Sequence, residues 1–326
     1  RSISTGVWVR QGSGHETPAV SGVSHMLEHM VFKGTPTRGP RELALEIEAL
    51  GGSLDAFTTR EYTAYQARVL DRHVGTALDV LADMTLRPVL RDWDLALEKE
   101  VILEEIATVE DTPDDIVFDL HAERFWPGHG YGRPILGTRE TVAGMPGDRL
   151  RALYAERYTG RNLVVAAVGN VDHERFLAAV AERFGEVPAG EPAVEIAPPR
   201  TVATGAESIE RDTAQTHLVF AAPTVPHAHA DRYALVLLSQ ALGGGMSSRL
   251  FQRVREELGL AYAIYAFHSF YRAAGVFGVY VGTRPATADT AREVVEREVA
   301  RLVAEGLEPG EFRQVKEQVQ GQMVLA

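Results

Sequence analysis

Apolar positions recur along the chain with two periods, and the switches between them lay out its elements. Residues 3–10 partly alternate and read as a strand. Val23, Met26, Leu27, Met30 and Val31 then share one face of a helix that Ser21 or Ser24 can cap and that 34–40 ends. An amphipathic helix at 41–50 stops at Gly51-Gly52, and 53–70, rich in Phe, Tyr, Thr and Val, reads as one or two strands. Helical periodicity returns at 71–86 and again at 93–109, where Ile102, Ile106 and Val109 form the stripe with Val101 at its edge. A Gly/Pro-rich loop at 128–147 leads to a helix at 148–158, a strand at 162–168 and a helix at 172–184.

Residues 186–200 carry Pro188, Pro192, Pro198 and Pro199 with little periodicity and read as an interdomain linker. Beyond it the succession starts again: strand 215–222, helix 230–242, glycine turn 243–245, helix 249–258, strands within 261–281, helix 288–305 and a last helix. This is an internal duplication of pattern, not of sequence. The expected domains are 1–185 and 201–326, joined by 186–200. The second copy would stop at the counterpart of helix 93–109, lacking on the order of 80 to 100 residues if domains repeat at full size.

The 326 residues and 45% hydrophobic content suffice for two globular domains with a sizeable core. A net charge of -12 and the lack of Lys/Arg runs exclude a general nucleic-acid binder and leave room for an acidic cleft that prefers basic ligands. No stretch reaches the roughly 18 apolar residues of a membrane span, and the N-terminus lacks a signal-peptide core, so a soluble, cytoplasmic protein without membrane partners is expected. With no cysteine, any metal must be held by His and carboxylates.

The candidate chemistry starts at His25, Glu28 and His29, which leave one face of a helix. The order His-x-x-Glu-His is the inverted zinc-protease motif. Neutral imidazole is a preferred zinc ligand, and a neighbouring carboxylate can take a proton from a metal-bound water whose pKa has fallen to about 7. The alternative is that these residues are the solvated side of an amphipathic helix. Helix 93–109 places Glu98 and Glu105 on or beside its apolar stripe, with Glu100 and Glu104 on the other side. A carboxylate among aliphatics costs several kcal/mol unless compensated, so two on one buried face call for a partner. Two histidines need a third protein ligand, leaving the fourth position to water, and Glu105 or Glu98 answers that need. Pairing with an Arg, or a place at the stripe's edge, is the alternative. Helix 230–242 carries no such pair, so one metal site is expected.

Four segments, SHMLEHMVFKG (24–34), DAFTTREYT (55–63), EKEVILEEIATV (98–109) and RLFQRVREELGLAY (249–262), together resemble the pitrilysin/insulinase (M16) metallopeptidases. The likeness is to the mitochondrial processing peptidase beta subunit and bacterial M16B-type relatives. It implies an α+β fold of two pseudo-repeated domains, each a mostly antiparallel sheet packed with helices, facing each other across a cleft. It also implies one zinc ion on His25, His29 and Glu105, with Glu28 as general base and Glu98 as a supporting carboxylate. Glu105 stands where the family's third ligand stands relative to His29. The family's second-domain Arg and Tyr, which hold substrate backbone and oxyanion, match Arg255 and Tyr262; outside the resemblance these read as a surface charge and a strand aromatic.

A substrate peptide is expected to add as a strand beside Asp55, Ala56, Phe57 and Thr58, with Asp55 departing from the family's Asn. Asp115 and Asp119 match positions that read basic side chains; by composition, the same stretch is a solvated acidic turn opened by Pro113. The resemblance thus implies a zinc-dependent endopeptidase of peptides or unfolded segments, working as a homodimer or with a related subunit that lacks the zinc motif. The rivals are a non-catalytic structural or assembly subunit of the superfamily and a metal hydrolase of a non-peptide substrate.

Overall fold

In the computed structural model, which describes Arg1–Leu325, the elements follow in this order. They are β1 (Ser2–Val9), α1 (Val23–Val31), α2 (Pro40–Glu48), β2 (Ser53–Thr58), β3 (Thr63–Leu70), α3 (Val74–Leu86), α4 (Asp92–Glu110) and α5 (Pro113–Phe125). Next come α6 (Arg139–Gly144), α7 (Gly147–Arg157), β4 (Leu163–Gly169), α8 (His173–Phe184), β5 (Thr216–Thr224) and α9 (Arg232–Gly243). A π-helical segment (Phe251–Glu257), β6 (Ala261–Phe270), β7 (Gly275–Thr283), α10 (Ala288–Glu305) and α11 (Pro309–Leu325) complete the chain.

Internal contacts divide the chain into two compact units. One comprises Arg1–Val109 with Gly128–Ile196, the other Glu110–Pro127 with everything from Ala197 onward. The partition differs from the expected boundaries at two places. Residues 110–127 group with the second unit, where Phe118 packs on Phe267 and Tyr280 at centroid distances of 5.4 and 5.6 Å. Residues 186–196 stay with the first, where Asn162 accepts the Ala193 N–H at 2.7 Å and donates to the Glu191 carbonyl at 2.9 Å.

The first unit is a four-stranded antiparallel sheet in the order β2-β3-β1-β4. Alternation explains its buried face: Ile3, Thr5, Val7 and Val9 of β1 point inward while Ser2 and Ser4 face out. Tyr65, Ala67 and Val69 of β3 extend the same face. Against it pack Met26, Leu27 and Met30 of α1, Leu43 and Ile47 of α2, Leu81 and Met84 of α3, and Ile102 and Ile106 of α4. Each such side chain, once buried, contributes about 1.5–3 kcal/mol. This core holds α1 and α4 on one side of the sheet with their polar faces turned to each other, as the distances between them show below. Among the described residues β2 is an edge strand, paired with β3 alone.

The second unit is a three-stranded antiparallel sheet in the order β5-β7-β6. The order β2-β3-β1 of the first unit recurs as β6-β7-β5, so the duplication read from the pattern is present in the topology. Two helices depart from expectation. The stretch read as an acidic turn is the thirteen-residue α5, with Pro113 in its first turn, and α6 rises within the Gly/Pro-rich loop from a Thr138–Thr141 capping box. Among the described residues no helix is long and apolar enough to cross a membrane.

Candidate metal centre

The apolar half of α1 fills the core, yet its other half is not a solvated face. His25 and Glu28 are buried, and the His29 side chain is 21% exposed. A helix carrying three ionisable groups into a protein interior needs partners for them, and the structure supplies hydrogen bonds to Glu28 and His29 but none to His25 among the described residues.

The N-terminus of α1 is held by neither Ser21 nor Ser24. Its cap is Gly22 at φ +91°, where a Cβ would stand 2.5 Å from the Leu136 carbonyl oxygen; opposite it, a Cβ on Gly137 would meet the Ser21 carbonyl oxygen at 2.5 Å. The first free N–H groups of the helix go to Glu16. Its Oε2 accepts from Gly22 at 2.7 Å and its Oε1 from Ser24 at 2.8 Å, placing a carboxylate at the positive end of the helix. Burial is the largest influence on this carboxyl and pushes its pKa up to about 7 against those two bonds. Arg133 donates to the Glu16 carbonyl, and Gln11 Nε2 donates to Ser24 Oγ at 3.0 Å.

Glu98, on the buried side of α4, has a side chain only 5% exposed. One of its oxygens faces His29 Nδ1 at 2.9 Å and the other pairs with the Lys33 ammonium. A carboxylate only accepts, so His29 donates through Nδ1, and in the neutral ring Nε2 keeps its lone pair. That Nε2 lies 3.7 Å from Glu105 Oε2, and His25 Nε2 lies 3.7 Å from the same oxygen. Burial, and then His29, lower the pKa of His25 to about 3, leaving it in the neutral form that ligates metals.

His25, His29 and Glu105 offer ligand atoms all within 4.8 Å of one another. A separation of 3.7 Å is too long for a hydrogen bond. It is what two donors, each about 2.1 Å from a shared ion, make at an angle near 120°. His25 Nδ1 is buried without a hydrogen-bond partner among the described residues, so neither ring nitrogen is engaged at hydrogen-bond distance. Two imidazoles and a carboxylate form a donor set suited to zinc with a position left open, and these residues fit that ion. The Glu105 side chain is 46% exposed, so the site is reached from solvent. The expectation of two carboxylates on one buried face holds for Glu98 alone.

Glu28 stands beside this group. Burial raises its pKa, opposed by a hydrogen bond from Thr58 and by His29, with Glu105 adding to the rise. Thr58 Oγ1 donates to Glu28 Oε2 at 2.6 Å. On β2, Asp55 and Phe57 are exposed, whereas Ala56 packs on the core. Sequence reasoning gave no part to Glu16 or Lys33. Only Lys33 left a signal, four residues after His29, although the helix itself ends at Val31.

The remaining expected residues belong to the second unit. Arg255 lies in the π-helical segment and Tyr262 at a bulge of β6, where it is 75% exposed. The guanidinium sits over the Phe251 and Tyr262 rings at 4.7 and 4.8 Å and donates to the Tyr262 carbonyl at 2.9 Å. Asp115 and Asp119 lie on α5. Burial, then Asp114, Tyr265 and Asp115, push Tyr280 up to about 12, which places the acidic start of α5 near that face of the sheet.

Two family models match the chain and meet between residues 139 and 145, inside the first unit. Residues 1–139 match the family described as "Insulinase (Peptidase family M16)" and residues 145–319 that described as "Peptidase M16 inactive domain". Over its full length the chain is 42% identical to an "Uncharacterized zinc protease" of Streptomyces coelicolor, covering 72% of it. It is 41% identical to another of that description from Bacillus subtilis, covering 79%. A solved "peptidase M16 inactive domain" from Pseudomonas fluorescens shares the fold at a TM-score of 0.92 and 23% identity, over 98% of this chain and 78% of that one. A protease from Helicobacter pylori does so at 0.92 and 20%, over 99% and 80%. A zinc-suited cluster in the first unit, and relatives named zinc proteases that align along the whole of this chain, place it in peptidase family M16.

Proposed function

We propose that the protein is a zinc-dependent endopeptidase of peptides or unfolded segments, with zinc held by His25, His29 and Glu105 and with Glu28 as general base. The observation that carries this reading is the approach of two imidazole Nε2 atoms to one Glu105 oxygen beside a separately anchored, buried carboxylate. Zinc bound there supplies Lewis acidity, which brings a water's pKa near 7 and polarises a carbonyl (about 7 in characterised enzymes). Glu28, whose pKa burial raises, is suited to take the proton of the attacking water and pass it to the leaving amine. Glu98, itself paired with Lys33, keeps the His29 ring in the ligating tautomer.

Substrate docking by strand addition draws support from β2, an edge strand whose last residue touches Glu28. Arg255 and Tyr262 are assigned the substrate backbone and oxyanion, and Asp115 and Asp119 a preference for Arg-containing peptides. A peptide panel in which Arg and Leu variants are cleaved equally removes the latter assignment. The working assembly is a homodimer, or a heterodimer with a related subunit lacking the zinc motif, and native mass distinguishes them.

Zinc analysis with a quenched-peptide assay tests the reading in wild type and Glu28→Gln. Both proteins should hold zinc, with kcat lower by about 10²–10⁴-fold in the variant. Equal cleavage by the two removes Glu28 as base. Zinc without cleavage of any peptide overturns the peptidase assignment in favour of a non-catalytic or non-peptide role.

A further inference from the structure

We propose that Thr58 is a positioning residue whose hydroxyl fixes the Glu28 carboxylate, so that the free edge strand β2 and the general base are mechanically one piece. The inference rests on the peptidase reading above and adds a residue to its machinery.

The geometry begins with strand alternation. Leu54 and Ala56 of β2 pack on the core, so Thr58, two residues further, turns its side chain the same way, and the register pairs it with Thr63 of β3. The core side at this end of β2 is where α1 presents Glu28. Thr58 Oγ1 lies 2.6 Å from Glu28 Oε2 and 3.3 Å from Thr63 Oγ1, while Thr63 Oγ1 lies 2.9 Å from the Gln11 carbonyl oxygen.

Each hydroxyl has one proton. Thr63 spends its proton on Gln11, because a carbonyl oxygen only accepts. Thr58 spends its own on Glu28, because a carboxylate only accepts. The 3.3 Å contact between the two hydroxyls is therefore the weak one. Glu28 is held at Oε2, which leaves Oε1 as the oxygen with free acceptor capacity.

The tie does not end at one bond. Gln11, which receives the Thr63 proton, donates through its amide to Ser24 Oγ on α1. Strand β2, strand β3 and both ends of the first turns of α1 are thus joined through Thr58, Thr63 and Gln11. A carboxylate has free rotation about its terminal torsions unless something holds it, and small misplacement of a base costs rate more than binding. A peptide pairing along β2 presses on the strand that holds the base.

Two variants separate the hydroxyl from the bulk. Thr58→Val keeps the β-branched shape and removes the donor; Thr58→Ser keeps the donor. With zinc content unchanged, Thr58→Val should lower kcat by about tenfold or more while KM stays within about twofold, and Thr58→Ser should recover most of the loss. Unchanged kcat in Thr58→Val, or an equal loss in Thr58→Ser, overturns the proposal. Crystal structures of the zinc-loaded wild type and Thr58→Val decide it without an assay. The Glu28 carboxylate should leave its position in the variant, and a carboxylate that stays put overturns the assignment. If wild type cleaves no peptide, the peptidase reading fails, while the crystallographic comparison still rules on Thr58.

Discussion

Helices α1 and α9 occupy the same slot in the repeated topology, each following the first strand of its unit, and differ in what they can carry. α1 takes Glu28 and His29 inside because its surroundings answer both: Glu98 faces His29, Lys33 pairs with Glu98, Thr58 holds Glu28, and Glu16 receives the first N–H groups; His25 is left with both ring nitrogens free of hydrogen bonds among the described residues. α9 carries no such trio and buries Ser239, Ala241, Leu242 and Gly243 instead. Its Gly243 backs directly onto β6, where a Cβ would come 2.2 Å from the Ala266 nitrogen. A polar site in a protein interior is a property of the shell around the helix. The motif alone does not create it, because an unpartnered buried charge costs several kcal/mol.

Removing one member of that shell should have the largest effect. Glu98→Gln leaves the ligands in place but takes the anion from between His29 and Lys33, and should weaken zinc binding by about 10–100-fold in a competition titration. Unchanged affinity would mean that the shell is dispensable and that the contrast with α9 lies in the ligands alone.

Glu16 tests the other end of α1. Glu16→Ala should cost about 1–2 kcal/mol in denaturant unfolding by uncapping the helix. The pH dependence has a definite sign. Because the folded-state pKa is raised to about 7, from an ordinary 4.5, the folded chain holds this proton longer than the unfolded chain. The stability owed to that proton is full below pH 4.5 and falls as the pH climbs through about 7. The difference between wild type and Glu16→Ala should shrink over this window, and a difference that grows with pH would reverse the assignment. The smallest effect should come from α9 itself. Gln240→Ala loses one hydrogen bond to the Gly244 carbonyl and should stay within about 0.5 kcal/mol, with zinc content and cleavage unaltered.

The legible parts of this protein are local. His25, Glu28 and His29 lie within one helical turn and a fraction of the next, and β1 alternates plainly, so spacing alone placed them. Glu105 took its place from a family resemblance, because nothing local distinguishes it from Glu98 as a ligand. Glu16, and the bond from Thr58 to Glu28, escaped for one physical reason: each joins residues separated by loops, whose closure leaves no periodic trace. The helix α5 was misread because Asp114 and Asp115 resemble a solvated turn, although Pro followed by acidic residues also starts a helix. Its membership of the second unit depends on Phe118 meeting aromatic rings of strands about 150 residues away, which no local pattern encodes (a separation far beyond any helical or strand period).

Anomalous diffraction at the zinc edge from crystals of the zinc-loaded protein tests the central claim most directly. The account predicts a single peak bonded to His25 Nε2, His29 Nε2 and a Glu105 oxygen, with Glu28 beside it and not bonded. A peak elsewhere, or density at these residues without Glu105 in the coordination, would contradict it.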